Sequence, residues 1–562
     1  MRTVCSSHRS SLAHLRNAYR CRVCSIPDGN RTDGFGYSPP PDGRFDRCSV
    51  FLLVLSCAVC LRRQMCKKQN GVALMKSTAE QIPIIEYQGN HLVVKAYAGC
   101  GKTTTLVDYA NHHSHLRMLY LAYNRAIRDE GAEKFPKNVV CKTSHQLAWP
   151  QFGRHYQHKL GNIRLTDAAG LLKTRNWGDV RDAIAVLNAY LSSADEEISE
   201  AHYFAALNEE EAAEHGTDHL DRTINSAQKL WDAMIDTESK FPCQHDAYLK
   251  LFQLSNPQLP YDVILFDEAQ DSNPVTAALV AGQKARKIFV GDKWQQIYRW
   301  RGAENALDTQ ILLGAASMFL TNSFRFGPMI AGVANAILRQ QGETRPLVGY
   351  GARDRVTTSL PPGCNHYTVL NRTVIGVIMT AIDAVSDGQV VYWNGGIEAY
   401  QISDLEDVYL LKIGRKDEIR NKRLFGQFSD FGGFAEAAEE SKDAEMNRML
   451  RILKEHNDIP KLIAALRRSS TDDPLDADVI VSTCHRSKGL EWDVVVLEED
   501  FPDIFDEEKI TPDQRIDELN LLYVAATRAK KVLVINSITQ VVIQKSHAEA
   551  KREREAAAGQ RS

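Results

Sequence analysis

A buried strand that runs into a glycine-containing loop and then into a helix constrains the fold more than any other feature of the sequence. His91 to Tyr97 is apolar, Ala98-Gly-Cys-Gly-Lys-Thr103 forms the turn, and a helical pattern follows to His112. The glycines let backbone N–H groups close on phosphate oxygens, while the lysine and the helix amino terminus add positive potential. The segment predicts a phosphate-binding loop, although Ala96 stands where such loops usually have their first glycine.

A second buried strand, Tyr261 to Phe266, delivers two carboxylates at its carboxyl end. Asp267 would hold Mg²⁺ through its water shell together with the Thr103 hydroxyl, and Glu268 would orient and deprotonate an attacking water. An acidic strand end on its own is commonly a solvated surface. Beside a phosphate loop, it predicts nucleotide hydrolysis.

The composition limits the classes of protein that remain. With 562 residues the chain is long enough for three or four domains, and 44% hydrophobic with 25% charged residues excludes fibrous and wholly disordered classes. Because 68 Lys and Arg face 71 Asp and Glu, for a net charge of −3, any nucleic-acid contact must be a local groove rather than a basic body.

Residues 1–74 differ from the rest of the chain, with seven of the twelve cysteines and no Glu. Two Cys-x-x-Cys pairs, beginning at Cys21 and Cys57, are compatible with a zinc site as one alternative. The Arg-rich, acid-poor composition is compatible with a transit peptide as another. We favour an unstructured leader, with the functional protein opening at Met75. The apolar run 50–61 is too short to span a bilayer, and the five scattered cysteines of the remaining chain fit a reducing compartment, cytoplasmic in a bacterium or nuclear in a eukaryote.

Seven further segments follow one another along the chain: Thr78-Ala-Glu-Gln81, Ala122-Tyr-Asn-Arg125, Lys142-Thr-Ser-His145, Val290-Gly-Asp-Lys-Trp-Gln-Gln-Ile-Tyr-Arg-Trp-Arg-Gly-Ala303, Asn322-Ser-Phe-Arg325, Ser482-Thr-Cys-His-Arg-Ser-Lys-Gly-Leu-Glu-Trp-Asp493 and Leu522-Tyr-Val-Ala-Ala-Thr-Arg-Ala529. Together with the loop and the acidic strand end, they resemble the ordered motifs of superfamily 1 DNA helicases of the UvrD/Rep type. Their wording looks more like the F-box DNA helicase branch than like UvrD itself, although no F-box is visible.

The resemblance implies ATP and Mg²⁺ as cofactors and assigns a role to each matched residue. Gln81 would recognise adenine and Phe324 would stack on it, Gln295 would sense the γ-phosphate, and Arg325 and Arg528 would act as arginine fingers when two motor domains close. The other residues expected to bind nucleotide are Ala98, Gly99, Cys100, Gly101, Lys102, Thr103, Thr104 and Glu491. Lys102 is expected to be catalytic as well. Thr104, Leu519 and Asn520 stand where related enzymes usually have arginines.

The same resemblance implies contacts to single-stranded DNA. Tyr123, Tyr298 and Trp300 are aromatic residues beside polar or cationic neighbours, suited to stacking unpaired bases, with core packing as the alternative. The remaining residues expected at the strand, mainly on its sugar–phosphate backbone, are Asn124, Thr143, His145, Arg301, Thr483, His485 and Lys488.

Strands that alternate with helices predict an α/β fold with two RecA-like parallel-sheet motor domains, each carrying a mainly helical insertion. The strands expected for the second sheet begin with one at 317–322. The expected boundaries are 75–150 and 259–316 for the first motor domain, 151–258 for its insertion, 317–396 and 476–540 for the second motor domain, 397–475 for its small insertion, and 541–562 for a flexible tail.

The resulting expectation is an ATP-dependent translocase and helicase that moves 3′ to 5′ on single-stranded DNA, in repair, recombination or replication. Its partners would be single-stranded DNA and single-strand/duplex junctions, with no membrane. The small second insertion leaves a second hypothesis open, a DNA-gated ATPase that remodels protein–DNA complexes or serves in phage defence with little unwinding. A scaffold without ATPase activity is disfavoured because every catalytic position is filled.

Overall fold

The computed structural model describes residues 77–207, 217–299, 305–425, 428–441, 443–456 and 458–559. The amino-terminal segment 1–74, with its cysteine pairs, lies outside these residues, and so do Trp300 and Arg301. Within the described ranges, no helix is long and apolar enough to cross a membrane.

The first sheet contains six parallel strands. They are β1 His91–Ala96, β2 Met118–Ala122, β3 Val139–Thr143, β4 Val263–Phe266, β5 Arg286–Gly291 and β6 Ala316–Leu320, in the spatial order β3-β2-β4-β5-β1-β6. β2 and β4 are buried along their whole length, which is why they appear in the sequence as continuous apolar runs.

The position of β6 corrects one expectation. The strand predicted at 317–322 was assigned to the second sheet, but β6 pairs in parallel with β1, from Leu92 opposite Ala316 to Ala96 opposite Leu320. One residue, Thr321, separates β6 from the short strand β7, Asn322–Ser323. Glu80, the residue before the helix Gln81–Ile85, fixes Thr321. Its carboxylate accepts hydrogen bonds from the Thr321 N–H at 2.8 Å and from the Thr321 hydroxyl at 2.7 Å.

The second sheet contains seven parallel strands. β7 pairs only with β8, Val348–Gly349, among the described residues. The seven are β9 Arg355–Thr357, β10 Tyr367–Asn371, β11 Val391–Trp393, β12 Ser470–Thr471, β13 Val479–Thr483, β14 Trp492–Leu497 and β15 Ala529–Val534, in the order β12-β11-β13-β10-β14-β15-β9. The edge strands β9 and β12 were not predicted, because two or three residues carry no periodic signal.

The α-helices of the described residues are α1 Gln81–Ile85, α2 Lys102–His112, α3 Arg125–Lys134, α4 Ser144–Ala148, α5 Leu165–Leu172, α6 Trp177–Ser192, α7 Glu200–Ala206, α8 Thr217–Ile235, α9 His245–Leu254, α10 Pro274–Ala281, α11 Ala306–Leu312, α12 Pro328–Arg339, α13 Val374–Ser386, α14 Ile402–Lys412, α15 Lys422–Phe425, α16 Phe431–Ser441, α17 Ala444–Glu455, α18 Ile459–Arg468, α19 Pro512–Ala526 and α20 Ser537–Gly559. The segment from residue 541, expected as a flexible tail, belongs to α20, which is helical to Gly559. Glu553 and Glu549 of α20 accept hydrogen bonds from Arg339 at the end of α12 and from Gln340, the next residue.

The helical insertions pack on the sheets that they interrupt. Helices α5 to α9 lie between β3 and β4 in sequence, and Leu187 and Leu230 share one apolar core with Leu119 of the first sheet. Helices α14 to α18 lie between β11 and β12 and share a core with the second sheet. The insertions also meet each other, with the rings of Trp177 and Phe428 at 6.2 Å.

A further apolar cluster joins the two sheets near the phosphate loop. Tyr97, Ala98 and Ile297 from the first sheet's side pack with Leu521 and Tyr523 of α19. Ligands of parallel sheets bind beyond the carboxyl ends of the strands, and this cluster brings those ends of β1 and β5 against the second motor domain.

Candidate nucleotide site and single-strand groove

The phosphate loop has the backbone geometry that its glycines predict. Gly99 and Gly101 have φ of +71° and +78°, and Gly101 immediately precedes α2, so that the helix begins at Lys102. A Cβ atom at Gly99 would lie 2.6 Å from the Oγ of Ser323 and from the Cβ of Arg325. Side chains are therefore excluded from this position by both conformation and space.

One observation tests whether the loop suits an oxygen-rich ligand. Ser323 is fully buried, and its Oγ has no hydrogen-bond partner within the part of the chain that the structure describes. It lies against Gly99 at the base of the phosphate loop. Since buried hydroxyls are nearly always hydrogen-bonded, a phosphate oxygen in the loop fits this environment.

Glu268 lies between two lysines from opposite motor domains. Lys102 Nζ is 2.6 Å from its Oε1, Lys488 Nζ is 3.7 Å from its Oε2, and Gln270 donates to Oε2 at 2.6 Å. Burial opposes ionisation, but the two lysines outweigh it and hold the pKa of Glu268 below its usual range. Its φ of +52° is unusual for a residue with a side chain, a type of strain that occurs at functional sites.

Asp267 has the opposite electrostatic environment. Burial and the adjacent Glu268 raise its pKa, although Tyr120 donates to its Oδ2 at 2.6 Å and the Glu268 N–H to its Oδ1 at 2.9 Å. No group of three or more His, Cys, Asp or Glu side chains suited to a metal occurs in the described ranges. Mg²⁺ is usually held by one carboxylate, a hydroxyl, waters and substrate phosphates, and Asp267 with Thr103 fits that donor set.

Gln295, the residue expected to sense the γ-phosphate, is in direct contact with one of the expected arginine fingers. Arg528 is 2% exposed, and its Nη2 donates to the Oε1 of Gln295 at 3.3 Å. Burial, and then the charge of Arg325, lower the pKa of Arg528 to about 9, so its guanidinium remains charged at neutral pH. Arg325 donates to Glu491 at 2.8 Å and to the carbonyl of Thr527 at 3.0 Å.

These groups converge on one small cavity of about 90 Å³. Its lining comes from both motor domains and includes Gly99, Lys102, Glu268, Gln295, Arg325 and Arg528, together with Tyr123, Asn124, Tyr298 and Lys488 from the residues expected at DNA. Five of the six residues expected to be catalytic therefore line one cavity, and the sixth, Asp267, precedes Glu268.

Sequence reasoning missed a buried link across the two domains. The Tyr523 hydroxyl accepts from the Ala98 N–H at 3.2 Å and donates to Asp292 at 3.0 Å, and Asp292 in turn accepts from Gln295 at 2.8 Å. Burial raises the pKa of both Tyr523 and Asp292. Both residues lie inside the quoted motifs, but Ala98 and Tyr523 are 425 positions apart, and no sequence signal pairs them.

Gln81 and Phe324 lie together beside the loop. A Cβ atom at Gly101 would lie 3.4 Å from the Gln81 Nε2 and 3.9 Å from the Phe324 ring. Gln81 donates to Thr105 of α2 at 3.0 Å, and the Phe324 N–H donates to the Gly99 carbonyl at 2.8 Å. Phe324 is 37% exposed, so its ring remains available to a ligand.

The other loop positions differ in exposure. Cys100 is buried, and burial raises the pKa of its thiol to about 12, so that it stays protonated. Thr103 is half-buried, whereas Thr104 is exposed on the surface of α2.

A groove of about 480 Å³ adjoins the nucleotide cavity. Tyr123, His145 and Tyr298 line it, with Glu268 and Asp271 at the side that faces the phosphate loop. The rings of Tyr123 and Tyr298 are stacked at 5.5 Å with an angle of 16°, and the Tyr298 hydroxyl donates to the carbonyl of His485 at 3.2 Å. These expected DNA residues thus lie on one surface.

The side chains of three other residues expected to bind DNA form hydrogen bonds with nearby backbone N–H groups. Asn124 accepts from Ile127 at 2.9 Å as the amino-terminal cap of α3, and Thr143 forms a capping box with Gln146 at the start of α4. Thr483 accepts from the Arg486 N–H at 3.2 Å. Their side-chain oxygens hold the segments that carry the groove, a role that the sequence did not indicate.

Lys488 lies at the junction of the groove and the nucleotide cavity. It forms an ion pair with Asp271 and donates to the Gln295 carbonyl at 2.7 Å. Its side chain is 10% exposed. The residue expected at the DNA backbone therefore also contacts Asp271 and the backbone of Gln295.

The first insertion adds groove residues that sequence reasoning missed. His245 and Asp246 begin α9 and line the same groove as His145. His145 Nε2 is 3.1 Å from an Asp246 oxygen, and the His145 ring is 5.7 Å from the ring of Tyr248. These pairs are about 100 positions apart in sequence, and no local pattern marks them.

A phosphate loop on one parallel sheet and Arg528, immediately before β15 of a second parallel sheet, define the class: a two-domain RecA-like fold with a candidate nucleotide site between the sheets. The sequence matches the UvrD/REP helicase N-terminal domain over residues 248–311 and the UvrD-like helicase C-terminal domain over 404–540. The chain therefore contains UvrD-like helicase N- and C-terminal domains.

Individual relatives agree with this placement. The chain is 32% identical to F-box DNA helicase 1 of Gallus gallus, over 83% of this chain and 50% of that protein. It is 30% identical to F-box DNA helicase protein 1 of Schizosaccharomyces pombe, over 82% of this chain and 57% of that protein. A probable DNA helicase II homolog of Mycoplasma genitalium is 23% identical, over 50% of this chain and 54% of that protein. The chain thus spans about half the length of these relatives.

Proposed function

We propose that this protein is an ATP-dependent motor that moves 3′ to 5′ along single-stranded DNA and unwinds duplex at single-strand/duplex junctions. The observation that carries the proposal is the shared lining of the two sites. Tyr123 and Tyr298 border both the cavity that holds the catalytic residues and the adjoining groove, and Glu268 borders both as well. The direction of movement is taken from the family resemblance.

In the hydrolytic step, Glu268 and the phosphates of the nucleotide compete for the ammonium group of Lys102. It now pairs with Glu268 at 2.6 Å, and bound phosphates would compete for its charge. Loss of that partner raises the pKa of Glu268 and frees its carboxylate to accept a proton from water. Asp267 and Thr103 would hold Mg²⁺, which supplies charge neutralisation at the phosphates. Arg325 and Arg528 stabilise the charge that develops on the transferred group.

Coupling between ATP and DNA follows from two short connections. Gln295 and Tyr298 are separated by two residues, so that movement of the sensor shifts a ring of the groove. Lys488 contacts the sensor carbonyl, Asp271 and Glu268 from the second motor domain. Closure of the two motor domains therefore changes the environment of Glu268, the proposed general base, and the shape of the groove together.

The names of the relatives support DNA as the substrate. Repair, recombination or replication is the proposed setting, in the nucleus if the source is a eukaryote and in the cytoplasm if it is a bacterium. A second candidate is a DNA-gated ATPase that remodels protein–DNA complexes, including in phage defence, with little unwinding. The contact of Trp177 with Phe428 favours it, because insertions that touch leave less freedom to engage a duplex.

The proposal is tested by ATP hydrolysis with and without single-stranded DNA, beside unwinding of duplexes that carry either a 3′ or a 5′ tail. We expect stimulation by the single strand and unwinding only with the 3′ tail. Glu268→Gln is the control, with ATP binding retained and turnover reduced about 10²–10⁴-fold. Stimulated hydrolysis without unwinding on either duplex would support the remodelling ATPase instead, and hydrolysis indifferent to DNA would contradict both.

A further inference from the structure

Tyr350 is a prominent surface ring with a closely held backbone. Its side chain is 64% exposed, yet its N–H donates to the Ser323 carbonyl at 2.7 Å. The next residue, Gly351, donates to the Phe326 carbonyl at 2.9 Å. The ring is exposed while its backbone is fixed, so that contact with a ligand would require little further ordering of this segment.

The two flanking glycines explain the position of the ring. A Cβ atom at Gly349 would lie 2.2 Å from the Gly327 carbonyl oxygen, and one at Gly351 would lie 2.6 Å from the Phe326 nitrogen. Backbone packs directly on backbone at both points. The segment is therefore pressed against the residues that follow β7, and Tyr350 has to project beside Phe324.

The ring of Tyr350 lies 6.5 Å from that of Phe324, with an angle of 35° between them. Successive bases in duplex DNA are about 3.4 Å apart, so a base between two parallel rings needs about 6.8 Å. The observed spacing is close to this value, and turning the exposed Tyr350 ring would make the two faces parallel. Phe324 in turn lies beside Gln81 and Gly101.

We propose that Tyr350 and Phe324 form a clamp for the nucleobase, with Tyr350 as a residue that determines base affinity. This inference rests on the proposed function, because it takes ATP as the ligand of the loop. Tyr350 contacts the base only and takes no part in the chemistry at the γ-phosphate. Its removal should weaken binding of nucleotides that have a base and spare a ligand that consists of phosphates alone.

The test is equilibrium binding of ATP by calorimetry, with inorganic tripolyphosphate as a ligand that lacks the base. Tyr350→Ala should raise the Kd for ATP about tenfold, equivalent to about 1.4 kcal/mol, and leave the Kd for tripolyphosphate within twofold. Tyr350→Phe should bind ATP like the original protein, because stacking needs only the ring. Leu475→Ala, which removes an 84% exposed side chain between β12 and β13, is the matched surface control.

The outcomes separate this inference from the proposed function. An unchanged Kd for ATP in Tyr350→Ala overturns the clamp, whether or not the original protein hydrolyses ATP in response to DNA. Equal losses for ATP and tripolyphosphate also overturn it, because they indicate damage to the phosphate loop. If the original protein binds no ATP at all, both the clamp and the proposed function fail.

Discussion

Replacement of Tyr523 by phenylalanine isolates the buried link between the motor domains. The change removes one hydroxyl and keeps the ring, which is fully buried in the apolar cluster around Ala98. Two contacts disappear: the one from the Ala98 N–H at 3.2 Å and the one to Asp292 at 3.0 Å. The variant therefore tests polar bonding between the domains without opening a large cavity.

The expected loss of unfolding free energy depends on which hydrogen bonds Ala98 and Asp292 retain in the variant. A buried N–H without a partner costs about 1–3 kcal/mol, and a hydrogen bond to a charged acceptor contributes about 1.5–3 kcal/mol. Asp292 keeps the donors of Gln295 and of the Trp294 backbone, which reduces the loss on its side. We expect Tyr523→Phe to lower the free energy of unfolding by about 2–4 kcal/mol. We also expect DNA-stimulated ATP turnover to fall, because Asp292 orients the sensor Gln295.

Urea unfolding and ATP turnover measured on the same preparations provide the assay. Tyr400→Phe is the matched control, since Tyr400 is also fully buried but donates to the backbone carbonyl of Asn394, only six residues away in sequence, where the expected loss is about 1 kcal/mol. A double-mutant cycle with Asp292→Asn measures the coupling directly. If Tyr523→Phe unfolds like the control and turns over ATP normally, the bridge has no role in coupling and the reasoning is refuted.

Three other outcomes are expected. Arg528→Ala should reduce turnover far more than ATP binding, because its guanidinium acts on charge that develops in the reaction; equal losses would make it only a ground-state ligand. Tyr298→Ala should weaken stimulation by single-stranded DNA by about 1–3 kcal/mol, read from the DNA concentration that gives half-maximal ATPase, and normal stimulation would indicate a packing residue. Burial, opposed by Lys488, raises the pKa of Asp271 to about 6. The folded state therefore keeps a proton that the unfolded state releases above about pH 4, so that stability falls as pH rises to 6. Urea titrations at pH 5 and 7 should show the original protein losing on the order of 1 kcal/mol more than Asp271→Asn, and parallel losses would remove Asp271 as the cause.

Much of the architecture was predictable because buried parallel strands appear as apolar runs. β1 and β4 lie within two residues of the ranges predicted for them, His91 to Tyr97 and Tyr261 to Phe266. The sequence did not show which sheet each strand joins, because an apolar run indicates that a strand is buried but not which strand it pairs with. The assignment of β6 to the second sheet was wrong for this reason.

In the candidate site as well, local motifs were predictable from the sequence and contacts between distant segments were not. Motifs indicated candidate residues such as Lys102 and Glu268, which the structure places 2.6 Å apart, because the spacing within one loop or one strand end is visible in the sequence. Contacts between distant motifs carry no local signal. Lys488 was interpreted as a DNA contact only, whereas its ion pair joins it to Asp271, 217 positions away.

The one-residue connection at Thr321 is the place where we expect the chain to bend when the two sheets move relative to each other. β6 is anchored to the first sheet, Glu80 fixes Thr321, and Phe324 is attached to the Gly99 carbonyl three residues later. A change in the angle between the two sheets would therefore displace Phe324 little, because its N–H is bonded to Gly99, and would displace Arg528 more, because Arg528 immediately precedes β15 of the second sheet. We expect contact with a nucleobase to persist when the sheets separate, while the contact of Arg528 with the terminal phosphate is lost.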